Sequence, residues 1–306
     1  MTTRVAAIDC GTNSIRLLIA DIVGDRLVDV VRRMEIVRLG QGVDRTGRLA
    51  PEAIERTRVA LADYAAVVRD LGASRVRMCA TSATRDAANA DEFRAMVLDT
   101  LGVLPEVVTG DEEARLSFTG AVRGLSAQAP YLVVDIGGGS TEFVVGSSSV
   151  DSAISVDIGC VRMTERHLHT DPPSSDEVAA ATADITAAVD RALDAVGGRG
   201  AATLVGLAGS VATVAAIALG LTEYDPVRIH HSRVSYDEVA KITADLLEMT
   251  TAQRLAIPVM HPGRADVIGA GALVLRVIME RAGAGSVIAS EHDILDGIAW
   301  STASPS

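Results

Sequence analysis

One short block occurs twice in this 306-residue chain. Asp9–Leu18 (DCGTNSIRLL) aligns without a gap to Asp135–Val144 (DIGGGSTEFV), and Asp, Gly and Ser coincide. Each copy lies between apolar runs, so each reads as strand, glycine turn, strand. Gly-rich hairpins are common, and a chance match is the plain alternative. One copy per half with the same surroundings points instead to a duplicated domain. Uncovered glycine-turn amides can cradle a phosphate. If the two turns face each other across a cleft, their amides and hydroxyls converge on one phosphate-binding site. The copies differ at one telling position, Arg16 against Glu142. Arginine favours phosphate, and carboxylates such as Asp135 and Glu142 suit Mg²⁺ bound beside phosphate.

Length allows one large domain or two of ordinary size. Aromatic residues are only 3%, so the core must be built from Ala, Val, Leu and Ile. The net charge of −12 argues against a general nucleic-acid binder, and any polyanion site must be local. Lys241 is the only lysine. Cys10, Cys79 and Cys160 fit no zinc spacing and read as buried small hydrophobes in a reducing compartment. No leader pattern opens the chain, and no apolar run is long enough to span a bilayer. The expectation is a cytoplasmic protein with no membrane and no nucleic-acid partner. Ala-rich apolar helices permit a homodimer without requiring one.

The pattern predicts a meander over 4–8, 15–22 and 26–37, then a glycine-rich loop over 40–47. Helical spacing begins at Pro51 and stops at Gly72, and a strand follows over 75–80. Asp91 and Asp111 read as caps of helices ending near Leu101 and Val122. Residues 124–130 are weakly patterned and mark a boundary. In the second half, strands are expected over 150–158, 202–207 and 287–290. Helices are expected over 159–167, 178–196, 211–219, after Ser235, over 267–281 with Asp266 as cap, and over 293–300.

Five blocks together carry a resemblance: Ala7–Arg16 (AIDCGTNSIR), Ala80–Arg85 (ATSATR), Thr109–Arg115 (TGDEEAR), Val134–Glu142 (VDIGGGSTE) and Gly206–Ser210 (GLAGS). In this order they resemble the exopolyphosphatase / guanosine pentaphosphate phosphohydrolase family, within the actin–Hsp70–sugar kinase superfamily. The resemblance implies an α/β fold: two domains of duplicated ribonuclease-H-like (actin-like ATPase) topology with an interdomain cleft. Drawn along the chain, the domains are 1–127 and 128–306, with the last helix, 292–300, free to return to the first. The implied activity is Mg²⁺-dependent hydrolysis of the terminal phosphate of inorganic polyphosphate or of guanosine pentaphosphate. Long members carry a helical extension, and this chain stops where short members stop, so short polyphosphate is the expected substrate.

The resemblance makes Glu113 the catalytic carboxylate that orients and deprotonates water. Without it, two acids in a first helical turn read as dipole-favourable surface charge, the role left to Glu112. Asp135, Glu142 and Asp9 are the expected Mg²⁺ carboxylates or neighbours of its ligands, although Asp9 equally suits a turn cap. Phosphate is expected at Asn13, Ser14, Gly137, Gly138, Gly139 and Ser140. Arg85 matches the family's phosphate-contacting arginine, and Arg16 suits either phosphate or a strand neighbour. Gly209 and Ser210 open a helix after a strand, which suits an anion or a plain cap. Arg264 reads as an ion pair or cap, with a substrate-side role as the alternative, and the six histidines show no zinc spacing. Three other readings stand beside polyphosphate hydrolysis: the guanosine pentaphosphate reaction, a sugar- or acetate-kinase-like transfer, and a nonhydrolytic nucleotide-binding or filament protein.

Overall fold

In the computed structural model, which describes residues 2–303, each repeated block forms the turn between the first two strands of a mixed sheet. The first sheet holds β1 (Thr3–Cys10), β2 (Ser14–Val23), β3 (Arg26–Ile36), β4 (Arg75–Ala80) and β5 (Glu106–Val107), in the order β3-β2-β1-β4-β5. The second holds β6 (Tyr131–Ile136), β7 (Thr141–Gly146), β8 (Val150–Val156), β9 (Thr203–Leu207), β10 (Arg233–Ser235) and β11 (Ser286–Ala289), in the order β10-β11-β9-β6-β7-β8. Both begin as an antiparallel meander and continue with parallel strands on the other side of the first strand. β10 is an addition at one edge, antiparallel to β11. The class is α/β, with two mixed sheets of five and six strands.

The duplication extends to register. Asp9 lies opposite Arg16, and Asp135 opposite Glu142. The Gly11 amide donates to Ser14 O at 2.9 Å, and the Gly137 amide to Ser140 O at 3.1 Å. The same hydrogen bond therefore closes both turns.

The chain divides into two compact units, Met1–Gly120 with Ile294–Ser306, and Ala121–Asp293. The helix Ile294–Ala303 is counted with the first unit for a physical reason. Central β1 is buried on both faces, with Ala6, Ile8 and Cys10 on one and Val5 and Ala7 on the other. Helices Pro51–Asp70 and Ala90–Leu101 cover the first face with Leu61, Tyr64, Phe93 and Val97. The other face is covered by Leu116 of helix Gly110–Val122 and by Ile294, Leu295, Ile298 and Ala299. In the second unit, Leu132, Val134 and Phe143 of the sheet share one core with helices Ser175–Val196, Ala208–Ala218, Tyr236–Glu248 and Ile268–Ala282.

Several local expectations shift. Thr109, not Asp111, caps helix Gly110–Val122, its hydroxyl accepting from the Glu112 amide at 3.2 Å, while Asp111 pairs with Arg115 at 2.9 Å. Asn89 and Val267 take the cap positions expected of Asp91 and Asp266. Helix Ala208–Ala218 starts three residues before the expected 211, so Gly209 and Ser210 lie inside its first turn. Sequence patterning missed β10, which has only three residues, and the helix Thr251–Leu255. No helix among the described residues is long and apolar enough to cross a membrane.

Candidate active site

In the first unit three of the five blocks meet at the carboxyl ends of parallel strands, where open α/β sheets bind ligands. β1 and β4 are neighbours, with Asp9 opposite Cys79 and Cys10 opposite Ala80. The Thr12 and Ser82 hydroxyls share a 2.9 Å hydrogen bond, which ties the first turn to the block ending at Arg85. Arg85 in turn donates from Nη1 to Glu113 Oε2 and to the Val108 carbonyl, each at 3.1 Å. Glu113 is 8% exposed, and this pairing holds its carboxylate at the first turn of its helix. Glu112, expected as a first-turn surface charge, is held by Arg77 at 2.8 Å. Arg16 donates from Nε and Nη2 to Asp9 Oδ2, at 3.0 and 2.6 Å. These two candidates, one for phosphate and one for metal, are thus engaged with each other.

In the second unit the same cross-strand position carries two acids. Asp135 and Glu142 are 7% and 1% exposed and lie directly opposite on antiparallel strands, so they share a sheet face. Glu142 Oε1 accepts from the Ser140 and Ser155 hydroxyls, each at 2.7 Å. Ser140 therefore spends its hydroxyl on orienting Glu142. Facing buried carboxylates repel, and a cation relieves that repulsion. Among the described residues no group of three or more His, Cys, Asp or Glu could hold a metal ion. A pair of carboxylates still fits a cation that takes one or two from protein and the rest from phosphate and water.

Each turn is backed by the segment that follows the third strand of its meander, a feature sequence reading missed. In the first unit the Val37 and Arg38 amides donate to Asn13 O, and the Gly40 amide to Thr12 O, at 2.8–3.1 Å. In the second, the amides of Gly159, Cys160, Val161 and Arg162 donate to the carbonyls of Gly137, Gly138 and Gly139 at 2.9–3.2 Å. A trans peptide points its C=O and its N–H in opposite directions. Holding these carbonyls inward aims the amides of Asn13 and Ser14, and of Gly138, Gly139 and Ser140, the other way. The only sequence signal was a glycine in each segment. A Cβ on Gly40 would come within 2.3 Å of Thr12 Cγ2, and one on Gly159 within 2.3 Å of the Gly138 carbonyl.

The fifth block joins the fourth within the second unit, because β6 and β9 are parallel neighbours and Asp135 lies opposite Leu207. Ala208 takes a left-handed backbone, φ +68°, to start the helix that carries Gly209 and Ser210. Ser210 is buried and its hydroxyl is turned to Gly271, whose added Cβ would stand 2.2 Å away. Its share in anion binding would fall to its amide. Arg264 lies over Gly209, with Nη2 at 2.2 Å from where a Cβ would be, and Nη1 donates to Thr213 Oγ1 at 2.8 Å. A cation at a helix N-terminus runs against the dipole, and an anion at that turn would suit both. The three cysteines are buried free thiols, and burial pushes Cys79 up to about 12.

Comparison with known proteins finds relatives that match nearly the whole chain. The chain is 55% identical to a Mycobacterium tuberculosis protein called exopolyphosphatase 2, over 98% of its own length and 99% of the relative's. A crystal structure of an exopolyphosphatase-like protein is similar with a TM-score of 0.95 at 42% identity, covering 98% of this chain and 97% of that one. An Aquifex aeolicus member of the Ppx/GppA family follows with a TM-score of 0.83 at 32% identity, covering 97% and 96%. The model of the Ppx/GppA phosphatase family matches residues 18–304, a span that begins within β2 and takes in Glu113, the second glycine turn and the whole of the second sheet. The chain belongs to the Ppx/GppA phosphatase family.

Proposed function

We propose that this chain is an exopolyphosphatase that hydrolyses the terminal phosphate of short inorganic polyphosphate, with Mg²⁺ as cofactor. The observation that carries the reading is the 55% identity to exopolyphosphatase 2 over nearly all of both chains. Glu113 takes the proton of a water as its oxygen attacks the terminal phosphorus in line. The bridging oxygen leaves with the shortened chain. Arg85, already beside Glu113, binds an oxygen of the phosphoryl group under attack and keeps base and electrophile in register. Within each unit the outward amides of the glycine turn, and in the second unit also the first turn of helix Ala208–Ala218, offer donors to phosphate oxygens. Asp135 and Glu142 would hold Mg²⁺, which when bound neutralises charge on those oxygens. In this reading Arg16 acts through Asp9, as a cross-strand partner.

Phosphate release from defined short polyphosphates with Mg²⁺ tests the proposal, with guanosine pentaphosphate assayed alongside. The wild-type chain is expected to release phosphate from polyphosphate. Glu113→Gln should lower kcat by about 10³-fold or more while leaving the melting temperature within a few degrees. A folded Glu113→Gln protein with full activity would overturn the assigned base. Faster release from guanosine pentaphosphate would move the reading to the nucleotide reaction.

A further inference from the structure

The Gly137–Gly139 carbonyls are held by more than backbone. The Arg162 side chain runs back from the first turn of helix Cys160–His167, and its Nε donates to Gly139 O at 2.7 Å. The same oxygen accepts from the Gly159 amide at 3.2 Å, so the Gly139–Ser140 peptide is gripped by two donors from one segment. Its other end is the Ser140 amide, and the Ser140 hydroxyl donates to Glu142. One peptide plane therefore links Arg162, a turn amide and a carboxylate of the facing acidic pair. The Arg162 side chain is 12% exposed, and its Nη2 stands 3.8 Å from Asp157, too far for a hydrogen bond. Among these contacts, the short Nε bond is the one that reaches the turn.

We propose that Arg162 is a positioning residue of the glycine turn: its Nε holds the Gly139–Ser140 peptide so that the Ser140 amide faces phosphate and Glu142 keeps its orientation. The role rests on the phosphate-binding function proposed for the turn. It differs from that of an arginine that meets the substrate, because what the side chain supplies is a donor to a carbonyl, not charge to an oxyanion. Glycine needs such a lock more than other residues, since each free glycine peptide has a wide range of accessible orientations. Loss of the donor frees the peptide to rotate and lowers the fraction of molecules with the amide in place, which weakens phosphate binding by that fraction.

Three variants separate donor from charge. Arg162→Met removes both, Arg162→Gln keeps a donor without charge, and Arg162→Lys keeps charge without the Nε geometry. Amide hydrogen exchange is read on the substrate-free proteins, and KM and kcat for short polyphosphate are read separately. For Arg162→Met we expect exchange of the Gly159 amide, which donates to Gly139 O, to quicken by about tenfold, with the amides of strands β6, β7 and β9 unchanged. We expect its KM to rise by about tenfold, with a smaller fall in kcat. Arg162→Gln should retain more of both properties than Arg162→Met. Unchanged exchange of the Gly159 amide in Arg162→Met would overturn the proposal, as would a Lys variant that keeps wild-type KM while Gln falls to the level of Met. If Arg162→Met unfolds, the Gln and Lys variants decide the matter by the same comparison. Should the wild-type chain release no phosphate at all, the functional reading fails, while the exchange data still report on the lock.

Discussion

Glu113 and Glu112 are adjacent in sequence and are held by different arginines. Arg77 engages Glu112 together with Glu106 and the Ser301 hydroxyl, at 2.6–2.8 Å, and so ties the start of helix Gly110–Val122 to its surroundings. Arg85 donates from Nη1 to Glu113 and to the Val108 carbonyl, which places its guanidinium beside the proposed base. Arg85→Met is therefore expected to cut kcat/KM by about 10²-fold or more, with both KM and kcat affected. Steady-state kinetics on the folded variant checks this. A change in KM alone would mean that Arg85 binds phosphate without aligning Glu113. The second member of the Glu pair was legible only through the family block; side-chain chemistry alone could not rank it above Glu112. For Arg16 the sequence left phosphate and a strand neighbour open; that the neighbour is Asp9 depends on which residues face each other across two strands. The histidines show the same limit: His230 and His231 are neighbours in sequence, but His292, whose ring centroid lies 4.4 Å from that of His230, comes from much further along the chain, next to Glu291, whose amide donates to His230 Nδ1.

At the scale of elements, the backing segments explain two glycines that composition could not. Gly159→Ala sets a Cβ against backbone atoms of Gly138 and Gly139 at 2.3–2.4 Å, and backbone held by this many hydrogen bonds has nowhere to go. We expect a loss of about 3 kcal/mol in denaturant unfolding, and loss of phosphate release along with it. Gly40→Ala meets mainly the Thr12 methyl, and the double variant Gly40→Ala/Thr12→Ser should recover about half or more of the lost stability. No equivalent rescue exists for Gly159. Strands and long helices were readable from periodicity, because their signal is carried by side chains. The backing segments make their contacts through amides, which every residue but proline possesses, so their sequence carries almost no trace of the role. A second element-scale consequence concerns pH. Glu177 accepts from the Thr170 hydroxyl and from the amides of His169, Thr170 and Ser174, and these hydrogen bonds, the Thr170 hydroxyl first, lower its pKa to about 2. Since the folded value lies below the ordinary one, this contribution is complete above about pH 4.5 and is lost as pH falls through about 2. NMR titration of Glu177 should give the low value, and Glu177→Gln should remove that part of the acid dependence of stability.

On the scale of the whole chain, the two sheets repeat one plan and diverge at the position where chemistry differs. The pair Asp9–Arg16 is an ion pair, whereas Asp135–Glu142 is a pair of acids. Their common ancestry as strand-turn-strand units was readable; the division of work between them needed the register. The first unit also depends on residues from the far end of the chain. Ile294, Leu295 and Ile298 are buried against the sheet, each worth about 1.5–3 kcal/mol, a sum comparable to the roughly 5–15 kcal/mol that holds an ordinary domain together. Arg32 adds a 2.6 Å pair to buried Asp296. The close packing of Gly297, whose Cβ would stand 2.1 Å from Leu116 O, joins this helix to the one that carries Glu113. A chain ended after Asp293 is expected to lose exchange protection in β1, β2 and β4 while β6, β7 and β9 stay protected. Equal protection in both sheets would show that the first unit stands without its last helix.

That dependence has a meaning for the chain as it emerges from the ribosome. Synthesis delivers residues 1–120 first, yet the face formed by Val5, Ala7, Leu18 and Ala20 has to wait about 175 residues for its cover. At about 5–20 residues per second the wait lasts roughly 10–35 seconds. The second unit, contiguous from Ala121 to Asp293, is complete before the first. The usual vectorial order, N-terminal domain first, is inverted, and the earliest apolar surface made is the last to be sealed.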